Sequence, residues 1–217
     1  MNNPKVGPHQ GQQLYTAGRP LAEAKAAMIL IHGRGATAPS ILELARELYQ
    51  PDFVYLAPQA AHNTWYPFSF MAPMENNQPK LASALQLIGD VVARVEQAGI
   101  PAEKIVIGGF SQGACLASEF VARNARRYGG LLVFSGGLIG PPGTPRDYEG
   151  SLDGTPIFLG CSDTDFHIPE ERVHESTATF EDLGANVVEK IYPNMGHTVI
   201  QDEIDQALKI VESILAD

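Results

Sequence analysis

Three short segments of this chain hold a nucleophile, an acid and a base, in the order Ser, Asp, His. The first is Gly109-Phe110-Ser111-Gln112-Gly113. It follows Lys104-Ile105-Val106-Ile107-Gly108, a short apolar β-branched run that reads as a buried strand. After it, from Ala114 to about Arg127, Cys115, Leu116, Phe120 and Val121 recur at helical spacing. A serine at such a junction occupies a turn too tight for side chains two positions before or after, and Gly109 and Gly113 supply that room. The turn lifts the Ser111 hydroxyl clear of the sheet and aims N–H groups at the helix start towards a developing oxyanion. The bland alternative is an idle serine on a structural turn. The strand before it and the helix after it weigh against that.

A serine hydroxyl attacks a carbonyl well only when a base in hydrogen-bond reach takes its proton, and a third group must orient that base. Gly160-Cys161-Ser162-Asp163-Thr164-Asp165-Phe166-His167-Ile168-Pro169 follows one apolar run, and Pro193-Asn194-Met195-Gly196-His197 follows the last. His197 is the expected base. His167 follows the acid loop too closely to be its partner, His32 precedes the oxyanion loop, and His9, His62 and His174 fall in the arm, a surface loop and a helix. Of the two acids, Asp165 is assigned to the imidazole and Asp163 to bracing the loop by accepting backbone N–H bonds. The first apolar strand ends in His32-Gly33-Arg34-Gly35-Ala36. Its glycines let the backbone turn over the site, so the N–H of Arg34 with that of Gln112 is expected to form a two-donor oxyanion hole. A simple strand-end turn is the alternative there. The spacing of Asp163, Asp165, His167 and His197 matches no established ligand pattern, so no metal is expected.

These loops must be held by a scaffold, and the rest of the chain describes one. Strands are expected at Ala26–Ile31, Phe53–Leu56 (stopped by Pro58), Lys104–Gly108, Leu131–Phe134, Pro156–Leu159 and Val187–Tyr192. Between them, helices are expected behind a Ser40 cap (Ile41, Leu44, Ala45, Leu48), over Leu81 to Val95, after Ser111, and around Val173, Thr177 and Phe180 up to Gly184. A final helix carries Ile204, Leu208, Val211 and Leu215. Alternating strands and helices give one α/β domain over 1–217, a mainly parallel sheet with helices on both faces. Residues 1–20 are expected to form an irregular arm or a weak edge strand. In such sheets ligands bind beyond the carboxyl ends of the strands, where all three loops fall.

Composition narrows the class further. The chain has 217 residues, 44% of them hydrophobic, enough for one sizeable core. A formal net charge of -10 argues against nucleic acid or an anionic membrane surface as partner. The start Met1-Asn2-Asn3-Pro4-Lys5 lacks the pattern of a signal peptide and no stretch has the apolar length of a membrane span, which leaves a cytoplasmic location as the default and no integral membrane association. Cys115 and Cys161 read as buried small apolar residues.

Taken together, His32-Gly33-Arg34-Gly35, Gly108-Gly109-Phe110-Ser111-Gln112-Gly113, Asp163-Thr164-Asp165 with Ile168-Pro169, and Met195-Gly196-His197 resemble the phospholipase/carboxylesterase family of α/β-hydrolases, which includes the acyl-protein thioesterases. The resemblance runs from about Ala26 to the end of the chain. It implies an α/β-hydrolase domain without a separate cap, no cofactor, and hydrolysis of small-molecule carboxylic esters or thioesters. It carries the nucleophile, acid and base over to Ser111, Asp165 and His197. Members often pair as dimers, so a homodimer is among its implications.

Two departures bear on the substrate. Many relatives have leucine at the position of Arg34, and a Ser-Trp-Phe/Tyr-Asp element where this chain has Asn63-Thr64-Trp65-Tyr66-Pro67. The Arg34 guanidinium either attracts an anionic substrate end or points to solvent while its backbone works. Trp65, Tyr66, Phe68, Phe70, Met71 and Met74 crowd one loop, either roofing the core or walling a substrate groove. Trp65 and Tyr66 are expected as wall residues, with Leu138 and Ile139 opposite. The expected function is a carboxylesterase for short to medium acyl groups. Its alternatives are a lysophospholipase or acyl thioesterase of the same family, cleavage of a lactone or carbon–carbon bond, and a small-molecule receptor built on a hydrolase fold.

Overall fold

A computed structural model describes residues 7–216. Seven strands form one sheet: β1 (Leu14–Gly18), β2 (Ala26–Ile31), β3 (Phe53–Pro58), β4 (Ile105–Phe110), β5 (Gly130–Phe134), β6 (Pro156–Ser162) and β7 (Asn186–Tyr192), in the order β1-β3-β2-β4-β5-β6-β7. Only β1 runs antiparallel to its neighbour. The helices are α1 (Ala38–Ile41), α2 (Leu44–Glu47), α3 (Lys80–Gln97), α4 (Gln112–Arg123), α5 (Glu170–Asp182) and α6 (Gln201–Ser213). The central strands are continuous apolar runs because both faces of the sheet are covered. Within β2, Ala27, Ile29 and Ile31 join the core under α3, α4 and α5, while Ala26, Met28 and Leu30 join the core under α1, α2 and α6. The strand order reverses between β2 and β4, which opens the crevice where doubly wound sheets bind ligands. The segments that follow these two strands hold Arg34 and Ser111.

Of the irregular arm or weak edge strand expected at 1–20, the last part is an edge strand. β1 pairs with the outer edge of β3 from Leu14↔Pro58 to Gly18↔Val54, while residues 1–6 lie outside the described residues. Before β1, His9 is fully buried and fastens this segment to the body. Its Nε2–H donates to the Trp65 carbonyl at 2.8 Å, and its Nδ1 accepts the Ala61 N–H at 3.1 Å. The helix expected behind Ser40 is two single turns, and its cap is Thr37: Thr37 accepts from the Ser40 N–H while the Ser40 hydroxyl, three positions in, closes the reciprocal bond. α4 stops at Arg123, short of the expected Arg127, because the Asn124 side chain bonds back to the Phe120 carbonyl at 2.8 Å.

α6 carries a buried acid that anchors the end of the loop holding His197. Glu203 is fully buried, and its Oε2 accepts the Ile200 N–H at 2.9 Å, while Oε1 has no partner among the described residues. The carboxyl packs against β6 at Gly160, where an added Cβ would overlap it. Burial pushes its pKa up to about 7. The folded state therefore holds a proton that the unfolded chain releases near its ordinary value. Stability from this group is complete below that value and falls as pH rises towards 7, by on the order of 3 kcal/mol. Glu203→Gln removes this titration. The stability difference between the variant and the wild type, followed by urea melts, should shift in the variant's favour from pH 5 to pH 8.

Candidate active site

The turn between β4 and α4 is built by close contact. Ser111 has φ 56° and ψ −120°, a conformation that L-residues adopt at a cost of about 1–3 kcal/mol. The cost is sustained by bonds on both sides of it. The Ser111 N–H donates to the Phe134 carbonyl at 3.0 Å, and its carbonyl accepts the Cys115 N–H at 3.0 Å. A Cβ at Gly109 would stand 2.5 Å from the Ile31 carbonyl oxygen, and one at Gly113 would overlap that same carbonyl. Both glycines are therefore required for β4 and α4 to lie against the end of β2.

The three candidate residues meet at the ends of β4, β6 and β7. Ser111 Oγ lies 2.9 Å from His197 Nε2, and His197 Nδ1 lies 2.6 Å from Asp165 Oδ2. Asp165 is buried, and its Oδ1 accepts the N–H of His167 at 2.8 Å and of Ile168 at 3.2 Å. A carboxylate can only accept, so His197 Nδ1 carries the proton and Nε2 is left to accept from the Ser111 hydroxyl. Asp163 does not reach the imidazole. Its Oδ1 accepts the Asn194 N–H at 2.8 Å, which ties the acid loop to the loop carrying His197, and Ser162 Oγ adds a second tie from the Gly196 N–H at 3.2 Å. Such an arrangement can raise the nucleophilicity of a hydroxyl and return a proton to a leaving group.

The cavity that reaches Ser111 has a volume of about 480 Å³. Arg34 and Gln112 both line it, and neither N–H donates a hydrogen bond to any described residue. The loop after β2 is held by His32. This buried imidazole bonds through Nδ1 to the Gly33 carbonyl at 2.8 Å and accepts the Ala60 N–H on Nε2 at 3.1 Å. Burial lowers its pKa, which keeps it neutral and suits the mixed donor–acceptor role.

Arg34 is exposed at the cavity, and its guanidinium has an engagement that neither expected course included. It donates to the carbonyls of Pro67 and Phe68, at 2.7 and 2.6 Å, and so holds one side of the aromatic loop. The Gln112 side chain holds another, accepting the Trp65 N–H and donating to the Tyr66 carbonyl, both at 2.9 Å. If the guanidinium acts on the loop and not on substrate charge, Arg34→Leu should raise KM about 3- to 10-fold for anionic and neutral esters alike. A matched pair of esters with and without a terminal carboxylate checks this.

Of the expected wall residues, Tyr66 lines the cavity, whereas Trp65 and Leu138 do not. Trp65 is fully buried behind the oxyanion loop because its indole N–H donates to the His32 carbonyl at 2.8 Å. Leu138 is also buried, its N–H bonded to Ser176 Oγ and its carbonyl to Arg172. The walls are formed instead by Pro67, Phe68, Phe70, Phe110, His167 and Ile168. The His197 ring lies between Phe110 and His167, each with its ring centre 4.8 Å away. Sequence reasoning set His167 aside as a partner of the acid, and its proximity to His197 arises only when the two loops are brought side by side. Among the described residues no group of three His, Cys, Asp or Glu side chains is arranged to hold a metal ion, and no helix is long and apolar enough to cross a membrane.

The profile of the family described as phospholipase/carboxylesterase matches residues 18–215. The chain is 29% identical over 123 residues to acyl-protein thioesterase 1 of Debaryomyces hansenii, a match spanning 56% of this chain and about half (53%) of that protein. Acyl-protein thioesterase 1 of Saccharomyces cerevisiae is 26% identical over 215 residues, covering 89% of this chain and 94% of that one. Among solved structures, a phospholipase/carboxylesterase from Dyadobacter fermentans superposes with a TM-score of 0.91 at 45% identity, covering 96% of this chain and 100% of that one.

Proposed function

The chain belongs to the phospholipase/carboxylesterase family, and from that premise we propose that it is a serine hydrolase cleaving carboxylic esters of short to medium acyl groups through an acyl-enzyme on Ser111. The observation that carries this reading is the continuous chain of hydrogen bonds from Ser111 Oγ through His197 to Asp165 at the edge of an accessible cavity. In the proposed reaction Ser111 Oγ attacks the ester carbonyl while His197 Nε2 takes its proton. The carbonyl oxygen becomes an oxyanion held by the N–H groups of Arg34 and Gln112, and Asp165 stabilises the imidazolium. Collapse breaks the bond to the leaving alcohol, which receives the proton from His197. Water then attacks the acyl-Ser111 ester with His197 again as base, releasing the acid and restoring the hydroxyl. The wall of Phe68, Phe70, Phe110 and Ile168 supports an apolar acyl or alcohol group.

A second reading, preference for thioesters, is favoured by the relatives named acyl-protein thioesterase 1. The same residues would serve, with a thiol as leaving group. Hydrolysis of p-nitrophenyl esters from acetate to laurate, beside thioesters of the same acids, tests both. Ester turnover peaking at short or medium chains supports the first reading. Turnover of thioesters alone supports the second. Saturable binding with no turnover of either class would contradict both and leave a receptor.

A further inference from the structure

The base of the triad has an aromatic neighbour that its hydrogen bonds do not account for. The Phe110 ring centre lies 4.8 Å from that of His197, with the two planes inclined at 40°. This is a tilted stack, nearer to face contact than to edge contact, and inside the roughly 6 Å over which a ring attracts a cation. Strand alternation brings the pair together. Phe110 ends β4 four positions beyond Val106, and both pack on the core under α1, α2 and α6. The loop that carries His197 runs directly into α6. Phe110 is only half-buried, so packing alone would be served by an aliphatic side chain.

In the proposed reaction His197 is neutral before attack and an imidazolium while the tetrahedral adduct exists. The face of a benzene ring is negative, so its attraction for the imidazole grows as the charge appears. An interaction that is stronger in the transition state than in the ground state raises kcat. The same ring also keeps water from the imidazole, and that acts against the charged form. A leucine at this position would exclude water about as well, so exchanging the two isolates the effect of the face. The other charged or titratable groups around His197 are Asp165 and His167 on the acid loop, Asp163 through the Asn194 N–H, Arg34 in the lining of the same cavity, and Glu203 on α6 through the Ile200 N–H. All of them are retained when residue 110 is changed.

Resting on the ester-hydrolase reading above, we propose that the face of Phe110 stabilises the His197 imidazolium by a cation–π interaction, and so adds to Asp165 a second support for the charge formed during attack. Phe110 acts through the base, as a positioning residue.

The test places leucine (Phe110→Leu) or pentafluorophenylalanine at position 110, the second keeping the ring's shape while reversing the potential of its face. Profiles of kcat and kcat/KM against pH are measured on p-nitrophenyl butyrate. The titration of His197 is followed by NMR, its signal assigned by its absence from His197→Gln. Because the face favours the charged imidazole, its loss should lower both the titration midpoint and the acid limb of kcat/KM. The expected size in Phe110→Leu is about 0.4 to 0.7 of a pH unit, with plateau kcat down about two- to fivefold, as one such contact supplies. Pentafluorophenylalanine should move both at least as far. Histidines commonly change charge in one pH range, so the comparison is repeated in His167→Gln, where the shift should persist. A midpoint and limb that pentafluorophenylalanine leaves in place or raises overturn the proposal even if kcat falls, since lost packing slows a reaction without favouring the neutral ring. A shift confined to Phe110→Leu overturns it by assigning the contact to packing, and a shift lost in His167→Gln overturns it by assigning the effect to that histidine. A lowered midpoint in a protein that cleaves no ester upholds the contact and removes the ester-hydrolase reading alone.

Discussion

Ser111→Ala is expected to lower kcat by about 10⁴- to 10⁶-fold on every ester the wild type cleaves. The size of the effect follows from what the substitution removes. Among the described residues no other hydroxyl is bonded to His197, so the base is left without a nucleophile to activate. The N–H groups of Arg34 and Gln112 remain in place, and the residue left is water attack assisted by them. KM should change by less than about threefold, since the lining of the cavity is otherwise intact. Steady-state rates on a p-nitrophenyl ester give both parameters, with Tm as a check on folding. A loss smaller than tenfold would move the nucleophile elsewhere.

Asp165→Asn is expected to cost about 10⁴-fold in kcat. The hydrogen bonds around this side chain dictate how it fails. Asp165 Oδ1 accepts two backbone N–H groups, from His167 and Ile168, so an asparagine keeps its oxygen there and turns its amide nitrogen to His197. His197 Nδ1 must then accept, its proton moves to Nε2, and Nε2 can no longer take a proton from Ser111. Asp163→Asn makes the contrast. Its one side-chain bond among the described residues, from the Asn194 N–H, can be kept by the asparagine oxygen, so kcat should fall by less than about tenfold. Parallel kinetics of the two variants check the division of labour. Equal effects would contradict it.

The parts of this molecule legible in the sequence are those determined locally. β4, the turn at Ser111 and the start of α4 were readable because a β-branched run, two obligatory glycines and a helical period are consecutive. The division between Asp163 and Asp165 was readable because a short loop has room for only one carboxylate to turn inwards while the other takes backbone N–H groups. What depended on distant partners was not readable. The guanidinium of Arg34 bonds to carbonyls more than thirty positions away, and the Gln112 amide to a loop more than forty away. Trp65 and Leu138 are apolar enough for a wall or for a core, and only the indole bond to His32 and the Ser176 bond decide for the core. His9 looked like part of a polar arm, yet both its ring nitrogens are bonded to the loop that it buries against.

The most direct test of the central claim is the identity of the acylated residue. The protein is mixed with p-nitrophenyl butyrate, quenched in acid within the first turnovers, digested and analysed by mass spectrometry. The expected result is a butyryl group on the peptide containing Ser111, assigned to Ser111 by fragmentation and absent from Ser111→Ala. Turnover with the acyl group on another residue, or with no adduct while Ser111→Ala remains active, would contradict an acyl-enzyme at Ser111.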